Sequence, residues 1–309
     1  MIHLFRITPF IVLILLTTNV YSQTSNDELL IELIRKSDNS KIATVISNPQ
    51  KYKLQIIYTQ IDRDSNNYPI FSSGKFNVDS KKYFYPASTV KFPAALLALE
   101  KLNDMNIPGL TKYTSLKIDS NYTGQTKVIF DSSSATKLPS IANYVKKVFI
   151  VSDNDAHNRI FEFLGQQYTN ETLLKKSFFS TKLLHRLSTP LTPDQNRNTN
   201  GFTFFDMEDV FYEQPPQKNS NEYKVELDNI RLGTGYYEGD KLINSPKDFS
   251  YSNYFALEDQ HEMLKSVFFP EAVSKDKKFN LTEDDYRFLY RAMSILPEKA
   301  PPPCAPQPP

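Results

Sequence analysis

The stretch "KFPAALLALEKL", residues 91–102, has helical spacing and apolar side chains on almost every side. A helix of this kind has no face to give to water, so other elements must cover it on all sides. It fixes the centre of a core before any other segment is considered. A single cysteine, Cys304, leaves the chain without an internal disulfide, and the core alone must hold the fold together. At 309 residues the chain is long enough to bury one, as a single large domain or as two lobes sharing a seam.

Just before this helix stands "YFYPASTV", residues 83–90. Ser88 and Lys91 are three apart at the helix start, so their side chains leave the first turn side by side. Ser-x-x-Lys occurs four times, at Ser72/Lys75, Ser88/Lys91, Ser134/Lys137 and Ser274/Lys277. The other three lie in turn-like Ser, Gly, Asp and Lys stretches, and only Ser88 opens a long apolar helix. A serine at a helix start is also an ordinary N-cap, so the pair alone does not make a site.

The N-terminus, "MIHLFRITPFIVLILLTTNVYSQ", has a basic residue, a short apolar block and a small or polar end. This is the layout of a secretory signal peptide over residues 1–22; an uncleaved anchor is the alternative. A mature domain over 23–300 and a proline-rich tail over 301–309 follow. The expected location is exported, periplasmic or extracellular, without stable membrane insertion once the signal is removed. Lys plus Arg number 36 against 35 Asp plus Glu, a net charge of +1 that gives no footprint for nucleic acid. The histidines lack metal-ligand spacing, so no metal or other cofactor is expected. Sequons begin at Asn121, Asn170 and Asn280.

Along the chain, "NDELLIELIRKS" carries the stripe of an amphipathic helix. "YKLQIIYTQID" and "GKFNVD" suggest a β-hairpin with a long polar turn between them. Residues 110–140 read as irregular, and 188–257 as a long loop region with short elements. Helices are expected around Ile141–Phe149, around Ile160–Leu164, over "ALEDQHEMLKSVFFP", and over "LTEDDYRFLYRAMSIL", where Thr282 and Asp285 come close to a capping box.

Between the first two of these helices lies Ser152-Asp153-Asn154, 64 residues after Ser88. The same tripeptide at Ser37-Asp38-Asn39 precedes every Ser-x-x-Lys and reads as a helix-ending turn. The ordered pair of motifs, with "FYPAS", "ALLALEKLN" and "SDNDAHNRIFEFLG", resembles the class A β-lactamase and penicillin-binding protein superfamily over roughly residues 50 to 170. The resemblance implies an α/β (α+β) fold of two lobes, an antiparallel sheet with flanking helices beside an all-helical lobe. It implies a serine hydrolase working through an acyl-enzyme in the cleft between them. Ser88 would attack, Lys91 would take its proton, and Ser152 would pass a proton to the departing amide nitrogen. Asn154 would hold Lys91 and the substrate's amide carbonyl, Asp153 would fix the turn, and the Ser88 N–H would supply half of an oxyanion hole. The implied substrate is a small-molecule or peptide-like amide, such as a β-lactam or a cell-wall peptide.

The sequence departs from that pattern in two places. A glutamate is expected about 36 residues past Ser152, where Ser188, Thr189 and Pro190 stand; Asp194 is a candidate substitute, and His185 and Arg186 read as loop anchors. His157 is expected to face solvent or a neighbouring helix. No Lys-Thr-Gly is found, since Gly233-Thr234-Gly235 lacks the lysine and reads as a turn. The family's three closing strands and last helix are therefore expected to be missing, leaving the hairpin with an unpaired edge and an uncovered face and the chain weakly active. A degenerate family member that binds without turnover, and an exported structural protein with accidental motifs, stay open as alternatives.

Overall fold

The structure is a computed structural model that describes residues 26–299 apart from Thr123 and Glu208. The expected signal peptide, the proline-rich tail and Cys304 lie outside the described residues. Helices and antiparallel strands are mixed, as the expected α/β (α+β) class requires.

Helix α3, Lys91–Met105, is the centre that its composition demands. Val90, Ala94, Ala95, Leu96, Leu97, Ala98, Leu99 and Leu102 are all buried. Helices α4 (Ile141–Ile150) and α5 (Asn154–Leu164) pack on it, and the helix Glu283–Ser294 closes over α4. Even its polar residues are tied down: Glu100 pairs with Lys176 at 2.7 Å, and Lys101 donates to the Phe163 carbonyl and to Gln214 Oε1. Asn106, at φ +48°, ends the helix in a left-handed cap. Full burial of each leucine is worth about 1.5–3 kcal/mol relative to exposure, so this helix anchors the helical lobe.

The second lobe begins with α1 (Asn26–Arg35) and α2 (Ser40–Ser47). Ser37-Asp38-Asn39 is the turn between them, with Asn39 capping α2 through Lys41 and Ile42 N–H. Strands β1 (Ile56–Arg63) and β2 (Pro69–Phe76) form the expected hairpin, but β2 starts at Pro69 and the turn is short. Pro69 is tolerated because it is the first residue of its strand. Helix α1 packs against β2, while the helix Leu257–Phe268 meets β1 through His261 and Thr59, at 2.8 Å. The hairpin thus meets two helices, while Tyr58, Ile61 and Ile70 remain about half exposed. No strand among the described residues pairs with the outer edge of β1.

Two stretches read as irregular contain strands. Strand β3 (Ser115–Ile118) pairs with Phe202–Asp206, which turns back through Asp209–Gln214, giving a three-stranded antiparallel sheet. Phe163 of α5 packs against Phe202 and Phe204 and fixes this sheet to the helical core. After Gly165 a further helix, α6 (Gln166–Lys175), leads to the two-residue strand β4 (Thr181–Lys182), which pairs with Tyr254–Phe255. Thr282 and Asp285 form a complete capping box. Among the described residues no helix is long and apolar enough to cross a membrane.

Candidate active site

Ser88 sits in the 3₁₀ turn Ala87–Val90 that feeds directly into α3. In that first turn the N–H groups have no partner within the helix, so the Ser88 N–H is available to a ligand. Ala87 is at φ +47°, a left-handed conformation that costs a non-glycine residue roughly 1–2 kcal/mol and turns the following serine outward. Ser88 is exposed, while Lys91, one turn on, is 3% exposed.

The joint between α4 and α5 supplies the second group. Asp153 caps α5 by accepting the Ala156 N–H at 2.8 Å, the turn-fixing role expected of it. Ser152, at φ +53°, projects toward Lys91, and Asn154 is the first residue of α5. The four residues selected from sequence come together here. Lys91 Nζ lies 3.0 Å from Ser88 Oγ, 2.9 Å from Ser152 Oγ, 2.5 Å from the Ser152 carbonyl and 2.7 Å from Asn154 Oδ1.

Counting donors shows what this arrangement permits. The Ser152 carbonyl and Asn154 Oδ1 can only accept, so they take two N–H groups from the amine. A neutral lysine has two N–H groups and one lone pair, and the lone pair is then left to face the hydroxyls of Ser88 and Ser152. Burial pushes the Lys91 pKa below the usual lysine range, against the opposing pull of the Asp153 carboxylate. Both effects of geometry and burial favour an amine able to accept a serine proton.

Asn154 also turns outward: its Nδ2 donates to Ser188 Oγ at 2.8 Å. Ser188 is exposed, at φ +54°, and its segment is held by a ladder of side chains one turn apart on α5. Asn158 takes the Leu187 N–H at 2.7 Å and donates to the Leu187 carbonyl at 3.0 Å and to Thr189 Oγ1 at 3.1 Å. Glu162 takes Arg186 Nε at 3.0 Å in a pair that is almost wholly buried. Arg186 also donates to the Asn198 carbonyl, so it is a loop anchor as expected. The sequence reading noted Ser188 only as the residue standing where a glutamate was sought. The spacing 154, 158, 162 was a readable polar stripe, but its partner segment was not.

Other expectations fare differently. Asp194 is bonded to Arg197 at 2.5 Å on the exposed side of its loop, not to the Lys91 group. His157 does not face solvent: its ring is 0% exposed beside Phe161, neither ring nitrogen has a partner, and burial lowers its pKa to about 3. Gly233 is at φ +80° in a turn between short strands, as expected for a Gly-rich turn. Among the described residues no cluster of His, Cys, Asp or Glu is placed to hold a metal. A hollow of about 210 Å³ adjoins the serine turn, bounded by Phe84, Pro86, Thr89 and Tyr254.

Comparison with known proteins bears on the whole segment that builds this cluster. Among solved structures, the TLA-1 extended spectrum beta-lactamase aligns over 82% of this chain and 69% of its own, at 15% identity and a TM-score of 0.40. No curated protein matches. The model of the beta-lactamase enzyme family matches residues 39–213, more than half of the sequence and the part containing Ser88, Lys91, Ser152, Asn154 and Ser188, and the chain therefore belongs to that family.

Proposed function

We propose that the protein is an exported serine hydrolase that forms an acyl-enzyme at Ser88 with an amide substrate, such as a β-lactam or a cell-wall peptide. Residues 1–22 act as the export signal and 23–300 as the hydrolase domain, so the site works in the periplasm or outside the cell. Family membership supports the reaction class. The observation that carries the assignment of roles is the environment of Lys91 Nζ, whose two obligatory acceptors leave a lone pair for Ser88 Oγ–H.

In this mechanism neutral Lys91 takes the Ser88 proton as the oxygen attacks the carbonyl carbon. The Ser88 N–H stabilises the oxyanion; Ser152 hands its proton to the departing nitrogen as the C–N bond breaks and takes in its place the proton held by Lys91, 2.9 Å away, which leaves Lys91 neutral again. Asn154 keeps Lys91 in place. A second reading, a binding protein without turnover, draws on the missing lysine before Thr234. Incubation with a fluorescent penicillin, followed by gel and intact mass, separates the two. A covalent adduct on the wild type that is lost in Ser88→Ala supports the hydrolase; a folded wild type with no adduct refutes it.

A further inference from the structure

Beyond the four residues to which the acylation step is assigned, one more side chain joins the hydrogen-bond network around Lys91. Ser188 Oγ accepts from Asn154 Nδ2, and Asn154 Oδ1 accepts from Lys91, so a continuous path runs from the Ser88 hydroxyl to the Ser188 hydroxyl. A hydroxyl that accepts from an amide still has its own proton to donate, and is polarised to do so. Ser188 is exposed, so that proton points to solvent or to whatever enters the cleft.

The position of Ser188 is heavily specified for a loop residue. Its backbone is left-handed, and the residues on either side are pinned by Asn158, with Arg186 pinned by Glu162 behind them. A serine serving only as surface would need none of this. Within the network that joins Ser88, Lys91, Ser152, Asn154 and Ser188, Lys91 is the single titratable group. Asp153 is turned to the Ala156 N–H and toward Lys147, at 3.6 Å. The partner of Asn154 Nδ2 is a hydroxyl, Ser188 Oγ, held at the same amide that holds the lysine.

We propose that Ser188 is a catalytic residue of the second half-reaction, holding the water that attacks the acyl-serine, and that Asn158 and Glu162 are the positioning residues that aim it. The step balances without any further reactant. The water oxygen, bonded to Ser188, attacks the ester carbonyl carbon and gives its proton to neutral Lys91. The C–O bond to Ser88 then breaks, Lys91 returns the proton to Ser88 Oγ, and the carboxylic acid leaves. One lysine serves both halves, and Ser188 acts in the second alone.

This inference rests on the acyl-serine reading, and the experiment keeps the two apart. The full chain and its Ser188→Ala and Ser188→Thr variants are labelled with a fluorescent penicillin, and adduct formation and decay are timed separately by intact mass. Loss of one hydrogen bond to the attacking water should lengthen the adduct's life in Ser188→Ala by about three- to tenfold. The rate of adduct formation should hold, and Ser188→Thr, which keeps the hydroxyl, should restore the decay. A decay rate unchanged in Ser188→Ala, or formation and decay slowed together, overturns the role of Ser188 while leaving the acyl-serine intact. A folded wild type that never forms the adduct overturns both.

Discussion

Lys91→Arg tests the proton path at Ser88 directly. Arginine keeps the positive charge but cannot give up its proton, and its planar group is bulkier than the ammonium it replaces. It would have to enter a space that is 3% exposed and ringed by oxygens 2.5–3.0 Å from Nζ. General-base assistance is typically worth about 10²–10⁴ in rate, or roughly 3–5 kcal/mol of barrier at 1.36 kcal/mol per tenfold. Adduct formation with a fluorescent penicillin should therefore slow by at least about a hundredfold. Lys91→Met, which removes the amine without adding bulk, should do the same, at about 1–3 kcal/mol of stability for each of the Ser152 and Asn154 oxygens left without a donor. Thermal melts of both variants show whether the fold survives. In the wild type the rate should rise with pH and level off below the usual lysine pKa, because the neutral amine is the working form and burial moves its pKa down. Folded Lys91 variants labelled within a few-fold of wild type would refute the assignment of Lys91 as base.

Three further outcomes concern the frame around the site. Glu162→Ala takes from buried Arg186 its carboxylate partner, while Arg159 keeps Asp155 at 3.1 Å, and should cost about 3–5 kcal/mol, seen as a lower midpoint in urea; a shift below 1 kcal/mol would mean the pair is dispensable. His157 has its pKa lowered to about 3 by burial and then by Lys91, so between about 6.5 and 3 the unfolded chain binds the proton and the native state does not. Stability should fall as pH drops through that window, and His157→Leu should flatten the fall; an unchanged acid limb in that variant would contradict it. Lys101 is lowered to about 7 by burial, so stability should rise with pH between about 7 and 10.5, and Lys101→Met should remove the rise in alkaline melts.

The site was more legible in the sequence than the sheet, for a reason of range. Ser88 and Lys91 are one turn apart at the start of a helix that its own composition buries, and Ser152 to Asn154 mark the start of α5. Each is a local statement that a short window carries. Strand β3, by contrast, is four residues whose partner lies more than eighty positions away, and "SLKI" has too little alternation to announce itself. The second strand of the hairpin was shortened in the reading because Pro69 and the serines after it resemble a turn; the pairing to β1 overrides that local preference. His157 reads as an ordinary polar residue, and nothing in its neighbours shows that the α5 face bearing it is covered completely.

The backbone carries a further kind of information that residue identity conceals. Ala87, Ser152 and Ser188 all have φ near +50°, one beside Ser88 and the other two bearing hydroxyls of the same network. Left-handed backbone is signalled in sequence by glycine or asparagine, and none of these three is either. At roughly 1–2 kcal/mol apiece the conformations persist because their neighbours impose them. The Asp153 cap starts α5 immediately after Ser152, α3 takes over four residues after Ala87, and the Asn158 rung grips both sides of Ser188. Glycine at any of these positions would relieve the strain, but at 152 and 188 it would also remove the hydroxyl. The tension between a relaxed backbone and a side chain in the right place is resolved at both positions in favour of the side chain, which is what the proposed reaction requires of a hydroxyl at each.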